Sequence, residues 1–476
     1  MSDSKKQRTG DATAMVEDAP APRPAPVANA GVQEFSPELL RMYYDRVFPV
    51  QNMCRWLSYG TMEGEAAAQN LLHRREFSFT TGDDVYIRYL SYDNPAGFKK
   101  DLISKLPYKI DIGAIFSAQP RDHKKYKLFE PKQREFIIDI DLTDYDFLDC
   151  DVKRLETCDR CWPVMALAVR VLRRALIEDF GFEQLLFVYS GRRGMHCWVC
   201  DSRARAMSNE VRAAAAAAAA PPPRRRRPAH PPPTAPPALL LQVRSAVAEY
   251  LNPKLNAATG RLTVGRDLHP SMQKALTQEL EPFFKNSILA PEADGGFGMT
   301  DTPERREKML GLLGDESLQA KVAAKWERHT EWTGMQRWEH LVKEIQSAFK
   351  MNPKKSDQLI NEIIFTYTYP RLDINVSKGM NHLLKSPWCA HPKTGRVCVP
   401  VDADKPEQFD PSAVPTLRMV AEDLDAAMAT SDGAPPTTRL TEAEGVFDAF
   451  LKKLENQIRG EKAREAKKRS EEALEF

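Results

Sequence analysis

Residues 134–143 read Arg-Glu-Phe-Ile-Ile-Asp-Ile-Asp-Leu-Thr, and this run restricts the fold more than any other part of the chain. Its period-two alternation predicts a strand. Ile138, Ile140 and Leu142 then share one side, and Asp139 and Asp141 the other. Aliphatic neighbours place that strand inside a sheet, where two charges need a partner because unpaired buried charge is costly. Hard divalent cations take oxygen ligands presented side by side in this way. Two such cations about 4 Å apart activate an attacking oxygen and neutralise a leaving phosphate. A bare Asp-x-Asp on an exposed edge would mean no more than two solvated charges, so the flanking aliphatics decide the reading.

Three further segments carry chemistry. A predicted strand over 371–376 places Asp373 between Leu372 and Ile374, where a metal-ligand role and a salt bridge to Arg371 explain it equally well. Ser190-Gly191-Arg192-Arg193-Gly194-Met195-His196 joins two predicted strands, 185–189 and 195–200. Glycines on both sides permit close backbone approach, and two guanidiniums can grip phosphate oxygens in bidentate fashion. Lys385 and His391 flank Ser386-Pro387-Trp388, where a lysine can neutralise a triphosphate and a histidine can donate to one; ordinary loop solvation is the plainer alternative.

The remainder of the chain frames these segments. Ser36-Pro37 opens a predicted helix ending before Pro49, and 76–91 reads as a hairpin about Thr81-Gly82-Asp83-Asp84. A helix runs from Pro163 to Phe180. Residues 245–365 are mainly helical, and strand character returns over 396–401. Thr441-x-x-Glu444 marks a capping box for a last helix striped by Phe447, Phe450, Leu451, Leu454 and Ile458. Eight alanines followed by proline and arginine blocks interrupt the middle, and no folded core can be built from them. The formal charge of only +2 argues against a purely electrostatic nucleic-acid binder, while a local basic site is compatible with it. No apolar run is long enough to span a membrane, and residues 1–30 lack the apolar region of a secretory signal. Cys158-x-x-Cys161, with Cys150 upstream, reads as part of a zinc knuckle or as a redox pair. A Trp-Pro that follows directly, with no thioredoxin-like βαβ unit around it, weighs against the latter.

Taken together, YIRY (86–89), YKIDIGAIF (108–116), REFIIDIDLTDYD (134–146), FGFEQLLFVYSGRRGMHCWVCD (180–201) and PRLDINVSKGMNHLLKSPWCAHPKTGRVCVPVD (370–402) resemble the small, catalytic subunit family of eukaryotic DNA primase, within the archaeo-eukaryotic primase superfamily. The resemblance runs from about Phe35 to Pro411, apart from the low-complexity stretch. It implies an α/β fold: a mixed-sheet prim catalytic domain with an inserted helical subdomain and a small zinc-binding motif. It also implies synthesis of short RNA primers from ribonucleoside triphosphates on a single-stranded DNA template, in the nucleus, with the large primase subunit and the DNA polymerase alpha complex as partners. A related primase-polymerase of repair or damage tolerance is the alternative.

Residue by residue, Asp139, Asp141 and Asp373 fall on the family's catalytic Mg²⁺ or Mn²⁺ ligands, and Glu76 on a further active-site carboxylate. Arg88, Lys109, Asp111, Ser190, Gly191, Arg192, Arg193, Gly194, Met195, His196, His382, Leu383, Leu384, Lys385 and His391 fall on or beside nucleotide-contacting positions. Cys158 and Cys161 align with zinc ligands. The family's adjacent cysteine pair falls instead on Asp151 and Val152, leaving Cys150 nearby, with Asp149 or Asp151 as an altered fourth ligand. The organisation expected is a disordered tail over 1–34 and a first catalytic part over 35–210, with its zinc motif near 149–162. A low-complexity insertion over 211–244, a helical subdomain over 245–365, a second catalytic part over 366–427, and a linker with a charged helix over 428–476 follow.

Overall fold

The computed structural model describes residues 34–60, 70–148, 160–207, 243–430 and 438–474. Eleven strands lie among them: β1 Arg75–Thr80, β2 Tyr86–Leu90, β3 Lys109–Phe116, β4 Pro131–Gln133, β5 Phe136–Asp141, β6 Leu185–Tyr189, β7 Gly194–Val199, β8 Lys254–Leu255, β9 Leu262–Thr263, β10 Leu384–Lys385 and β11 Pro400–Val401. One sheet has the order β10-β3-β1-β2, with β4 also on β3. A second has the order β11-β6-β7-β5, and β8 pairs β9 alone.

Every described pair is antiparallel, so the expected mixed sheet is replaced by antiparallel ones. The reason is local. β5 leads through helix Trp162–Glu178 to β6, a connection suited to parallel neighbours, but the tight β6–β7 hairpin inserts β7 between them. The result is an α/β architecture built on antiparallel ladders.

The alternation read from 134–143 is realised in β5. Phe136, Ile137, Ile138 and Ile140 are buried, while Asp139 and Asp141 are half-buried. Helix Trp162–Glu178 contributes buried aliphatics to the same core, among them Val164, Leu167, Ala168, Val171 and Leu172. Ser36 caps helix Pro37–Arg46 by accepting from Leu39 N at 3.2 Å, as its sequence predicts. The last helix, Thr441–Leu474, is more than a charged extension. Phe447, Leu451 and Leu454 are buried, Phe447 and Phe450 meet Trp56, and Asp448 accepts from Asn52 Nδ2 at 2.8 Å.

Four local expectations change. β5 is not an interior strand but the edge of its sheet, in the order β11-β6-β7-β5; its aliphatics are buried all the same, by packing in the hydrophobic core rather than by a strand on each side. Arg371 to Val376 is not a strand: Asp373 is the N-cap of a short helix, Ile374–Lys378, and accepts from Asn375 N at 3.1 Å. Aspartate competes for backbone amides in this way, and that preference prevails over the alternation. Of 396–401, only Pro400–Val401 is strand; Val397 and Arg396 make isolated bridges to Ala390 and Thr416. The expected capping box at Thr441 does not form, because Thr441 is already helical and its hydroxyl donates to Thr438 O at 2.7 Å.

Helices also fill most of 270–368, one of them opened by a capping box between Thr333 and Gln336. The expected tail over 1–34 apart from Glu34, most of the zinc motif (Cys150 and Cys158 included), and the low-complexity insertion up to 242 lie outside the described residues. No helix among the described residues is long and apolar enough to cross a membrane.

Candidate active site

The carboxylates come together at the ends of two elements. Asp139 and Asp141 leave the exposed side of β5, and the backbone N–H of Asp373 donates to Asp139 O at 3.1 Å, so the third aspartate begins beside the first. Burial, then the nearby charges of Asp141 and Asp373, push the Asp139 carboxyl up to about 6. Asp141 Oδ1 accepts from Thr143 N at 2.9 Å and from Thr143 Oγ1 at 2.8 Å, which fixes that carboxylate at the strand end. Asp144 joins the same field: burial, then Asp141 and Asp373, raise its proton affinity as well.

The basic turn meets these carboxylates through the β5–β7 ladder. Asp139 is the register partner of His196, and Asp141 of Gly194. His196 Nε2 stands 3.5 Å from Asp139 Oδ1, and Arg193 Nη2 stands 3.7 Å from Asp141 Oδ2. Burial, then Lys385 and Lys109, push the His196 imidazole down to about 3, so it is neutral at physiological pH. Its Nδ1 is buried without a hydrogen-bond partner.

Two glycines allow the turn. Gly191 sits at φ +81°, where a side chain would strain the backbone. A Cβ on Gly194 would lie 2.9 Å from Ile140 O, so any side chain there would push β7 off β5. The turn is closed by Ser190 N donating to Gly194 O and Gly194 N donating to Ser190 Oγ, both at 2.9 Å. Met195 is buried behind it.

The other sheet supplies the facing wall. Lys385 on β10 donates through Nζ to Ser190 O at 2.6 Å and pairs in register with Asp111 on β3. Asp111 is buried, 3.1 Å from Lys109 Nζ. Glu76 is fully buried on β1 and receives Arg88 Nε at 3.0 Å. Leu384 is buried, Leu383 half-buried and His382 exposed. Burial, then Lys385, Arg192, Lys393 and Arg193, push His391 down to about 3. Arg192, half-buried, therefore belongs to the cluster of cations around His391.

The predicted aspartates, the basic turn, Lys385 and His391 thus come together at one two-walled site, whereas Cys161 lies apart from it and Cys150 and Cys158 lie outside the described residues. Carboxylates line the β5 wall and cations line its rim. Three supports escape a reading of the sequence alone: Thr394 Oγ1 and Cys398 Sγ, which donate to Gly191 O and Ser190 O at 2.7 and 3.1 Å, and Asp144. Asp144 has a sequence signal, as the third aspartate of Asp-Ile-Asp-Leu-Thr-Asp. The hydroxyl and thiol have none, because their partners lie about two hundred residues away in the chain.

A site of this kind fits divalent cations by its donor chemistry. The charges of Asp141 and Asp373 help to raise the proton affinity of Asp139 and of Asp144, which marks a site short of positive charge, and hard cations take oxygen ligands. Among the described residues no group of three such side chains is drawn in to ligand spacing, and Asp373 Oδ1 accepts its helix-cap bond from Asn375 N. A family model described as DNA primase small subunit matches residues 138–403, which hold all three aspartates, the basic turn, Lys385 and His391.

The chain belongs to the DNA primase small-subunit family. The DNA primase small subunit of Drosophila melanogaster is 35% identical over 452 residues, spanning 89% of this chain and 93% of that protein. That of Schizosaccharomyces pombe is 33% identical over 419 residues, 86% of this chain and 83% of its own. That of Caenorhabditis elegans is 34% identical over 415 residues, 83% and 88% of the two chains. The match takes in both walls of the site, and the chain is accordingly a primase, a nucleotidyltransferase that makes RNA primers.

Proposed function

We propose that this site joins ribonucleoside triphosphates on single-stranded DNA, with Asp139, Asp141 and Asp373 holding Mg²⁺ or Mn²⁺. The observation that carries the reading is the raised Asp139 carboxyl between two further aspartates, faced by Arg193 and Lys385. In phosphoryl transfer the protein mainly positions reactants and neutralises charge. When bound, the divalent cations supply activation of the attacking oxygen and stabilisation of the leaving phosphate.

The chain's own residues do the rest. Arg192, Arg193 and Lys385 bind the triphosphate oxygens. His196 and His391, being neutral, donate hydrogen bonds without adding charge. Gly191 and Gly194 let the turn's backbone approach the phosphates. Glu76 orients Arg88, and Lys109 with Asp111 flank the nucleotide; the described bonds of each support these roles. Met195 and Leu384 pack in the core behind the two walls and hold His196 and Lys385 in place, and Leu383 supplies the half-buried apolar side.

In this reading the helices of 245–365 form an inserted subdomain, and Cys150, Cys158 and Cys161 hold a structural Zn²⁺. The small-subunit names of its relatives point to a large primase subunit as partner. In the same reading the chain works in the nucleus and with the DNA polymerase alpha complex. The test is primer synthesis on a poly-pyrimidine single strand with ribonucleotides and Mg²⁺ or Mn²⁺. Template-dependent short RNA supports the reading. Incorporation only of deoxynucleotides onto an existing primer supports the repair alternative instead.

A further inference from the structure

β5 is the edge strand of its sheet, so its outward carbonyls have no ladder partner. They are nonetheless satisfied in sequence. In the two residues that lead into the strand, Arg134 O and Glu135 O accept from Arg244 Nη1 and Nη2 at 3.0 and 2.5 Å. Ile137 O accepts from Ser377 Oγ at 2.6 Å, and Asp139 O accepts from Asp373 N at 3.1 Å. Arg244 Nε then donates to Ser377 O at 2.8 Å. One guanidinium thus ties the strand that carries Asp139 and Asp141 to the short helix whose cap is Asp373.

Arg244 is fully buried, close to the equally buried Arg134, with its guanidinium over the Phe136 ring. Burying two like charges together is unfavourable, and an aliphatic of similar volume would pack at lower cost. What an aliphatic cannot do is hold three carbonyls from two segments in one planar fork.

We infer that Arg244 is a positioning residue for the catalytic carboxylates: it sets the spacing between the Asp139–Asp141 pair and Asp373. This rests on the proposed metal-dependent reading of the site. Arg244 touches no reacting group in that scheme, and its effect passes through Ser377 and the backbone of β5. Lysine keeps the charge but lacks the fork, so it can reach at most some of the three carbonyls.

The experiment uses the full chain and Arg244→Lys. Three quantities are compared: Mn²⁺ affinity by electron paramagnetic resonance, kcat and KM for the nucleotide, and hydrogen exchange of the peptide spanning 373–378. The variant should bind Mn²⁺ at least tenfold more weakly and lose at least tenfold in kcat. KM should stay within about twofold, and the 373–378 amides should exchange faster. Ser377→Ala removes one link without touching the arginine, and should shift the same three readouts in the same direction by less. A lysine variant that binds Mn²⁺ and turns over like the parent would overturn the inference, as would a Ser377→Ala chain with unaltered exchange and Mn²⁺ affinity. The parent's own Mn²⁺ binding and priming test the functional reading separately.

Discussion

Asp139 and His196 face each other across the β5–β7 ladder, with Nε2 3.5 Å from Oδ1, and the two groups are displaced in opposite directions. The carboxyl is pushed up to about 6 and the imidazole down to about 3. Neither shift is what an Asp–His⁺ ion pair would give, because such a pair lowers the acid and raises the base. The pair is therefore a neutral imidazole beside a carboxylate short of positive charge.

This has a consequence for stability. Asp139 titrates near 6 in the folded chain and near its ordinary value when unfolded, so its contribution is fully present below that ordinary value and is lost as pH rises through about 6. At pH 7.5 without metal, Asp139→Asn should melt higher than the parent, by on the order of 2 kcal/mol. The gap should close below about pH 4, the ordinary carboxylate range. Mg²⁺ should stabilise the parent and leave the variant unmoved. Calorimetry across pH checks this, and a variant no more stable than the parent at pH 7.5 would contradict it.

His196 and His391 act with the opposite sign. Their depressed folded values mean stability present above the ordinary histidine range near 6.5 and lost as pH falls below it. Arg193→Ala and His196→Ala should each raise the apparent KM for nucleotide. One lost charge-assisted contact is worth about 1.5–3 kcal/mol, or roughly ten- to a hundredfold. Steady-state kinetics that leave KM and kcat unchanged would make the turn structural.

Much of this site was legible in the sequence because its elements follow local rules. Period-two alternation located β5, and the glycines around Arg192-Arg193 located the turn. Asp373 reads in the sequence as a strand residue, because Leu-Asp-Ile-Asn-Val alternates, whereas in the structure the aspartate caps a helix. The buried network of Arg75, Arg134, Arg244 and Glu135 had no local signal. Charged residues read as surface until a fold brings partners from distant segments, here Arg75 with Glu135 at 2.8 Å and Arg244 with Ser377.

Metal analysis of protein purified without chelator should find about one zinc per chain, bound through the thiolates of Cys150, Cys158 and Cys161. Cys161 is buried at the start of helix Trp162–Glu178 and is disulfide-bonded in this structure, so zinc binding there requires the reduced thiolate and the metal analysis is made under reducing conditions. Stoichiometry near zero would show that the ligand set no longer binds.

Removing residues 213–244 should leave a folded, active chain. The deletion joins Val211-Arg212 to Ser245, and so supplies the same dipeptide that Val243-Arg244 provides at the start of helix Val243–Tyr250. Arg212 then takes the buried place of Arg244. Priming equal to the parent's is the expected outcome. Loss of template affinity with a shallower salt dependence would instead assign Arg224–Arg227 to phosphate contacts.

In the proposed reading Asp139 and Asp141 carry the chemistry. The most direct test of that reading measures ribonucleotide primer synthesis on a poly-pyrimidine template alongside thermal melting, for the parent, Asp139→Ala and Asp141→Ala. Losing either carboxylate should remove several kcal/mol of transition-state stabilisation, abolishing primers while the melting transition persists. Primer synthesis retained in either folded variant would contradict the account.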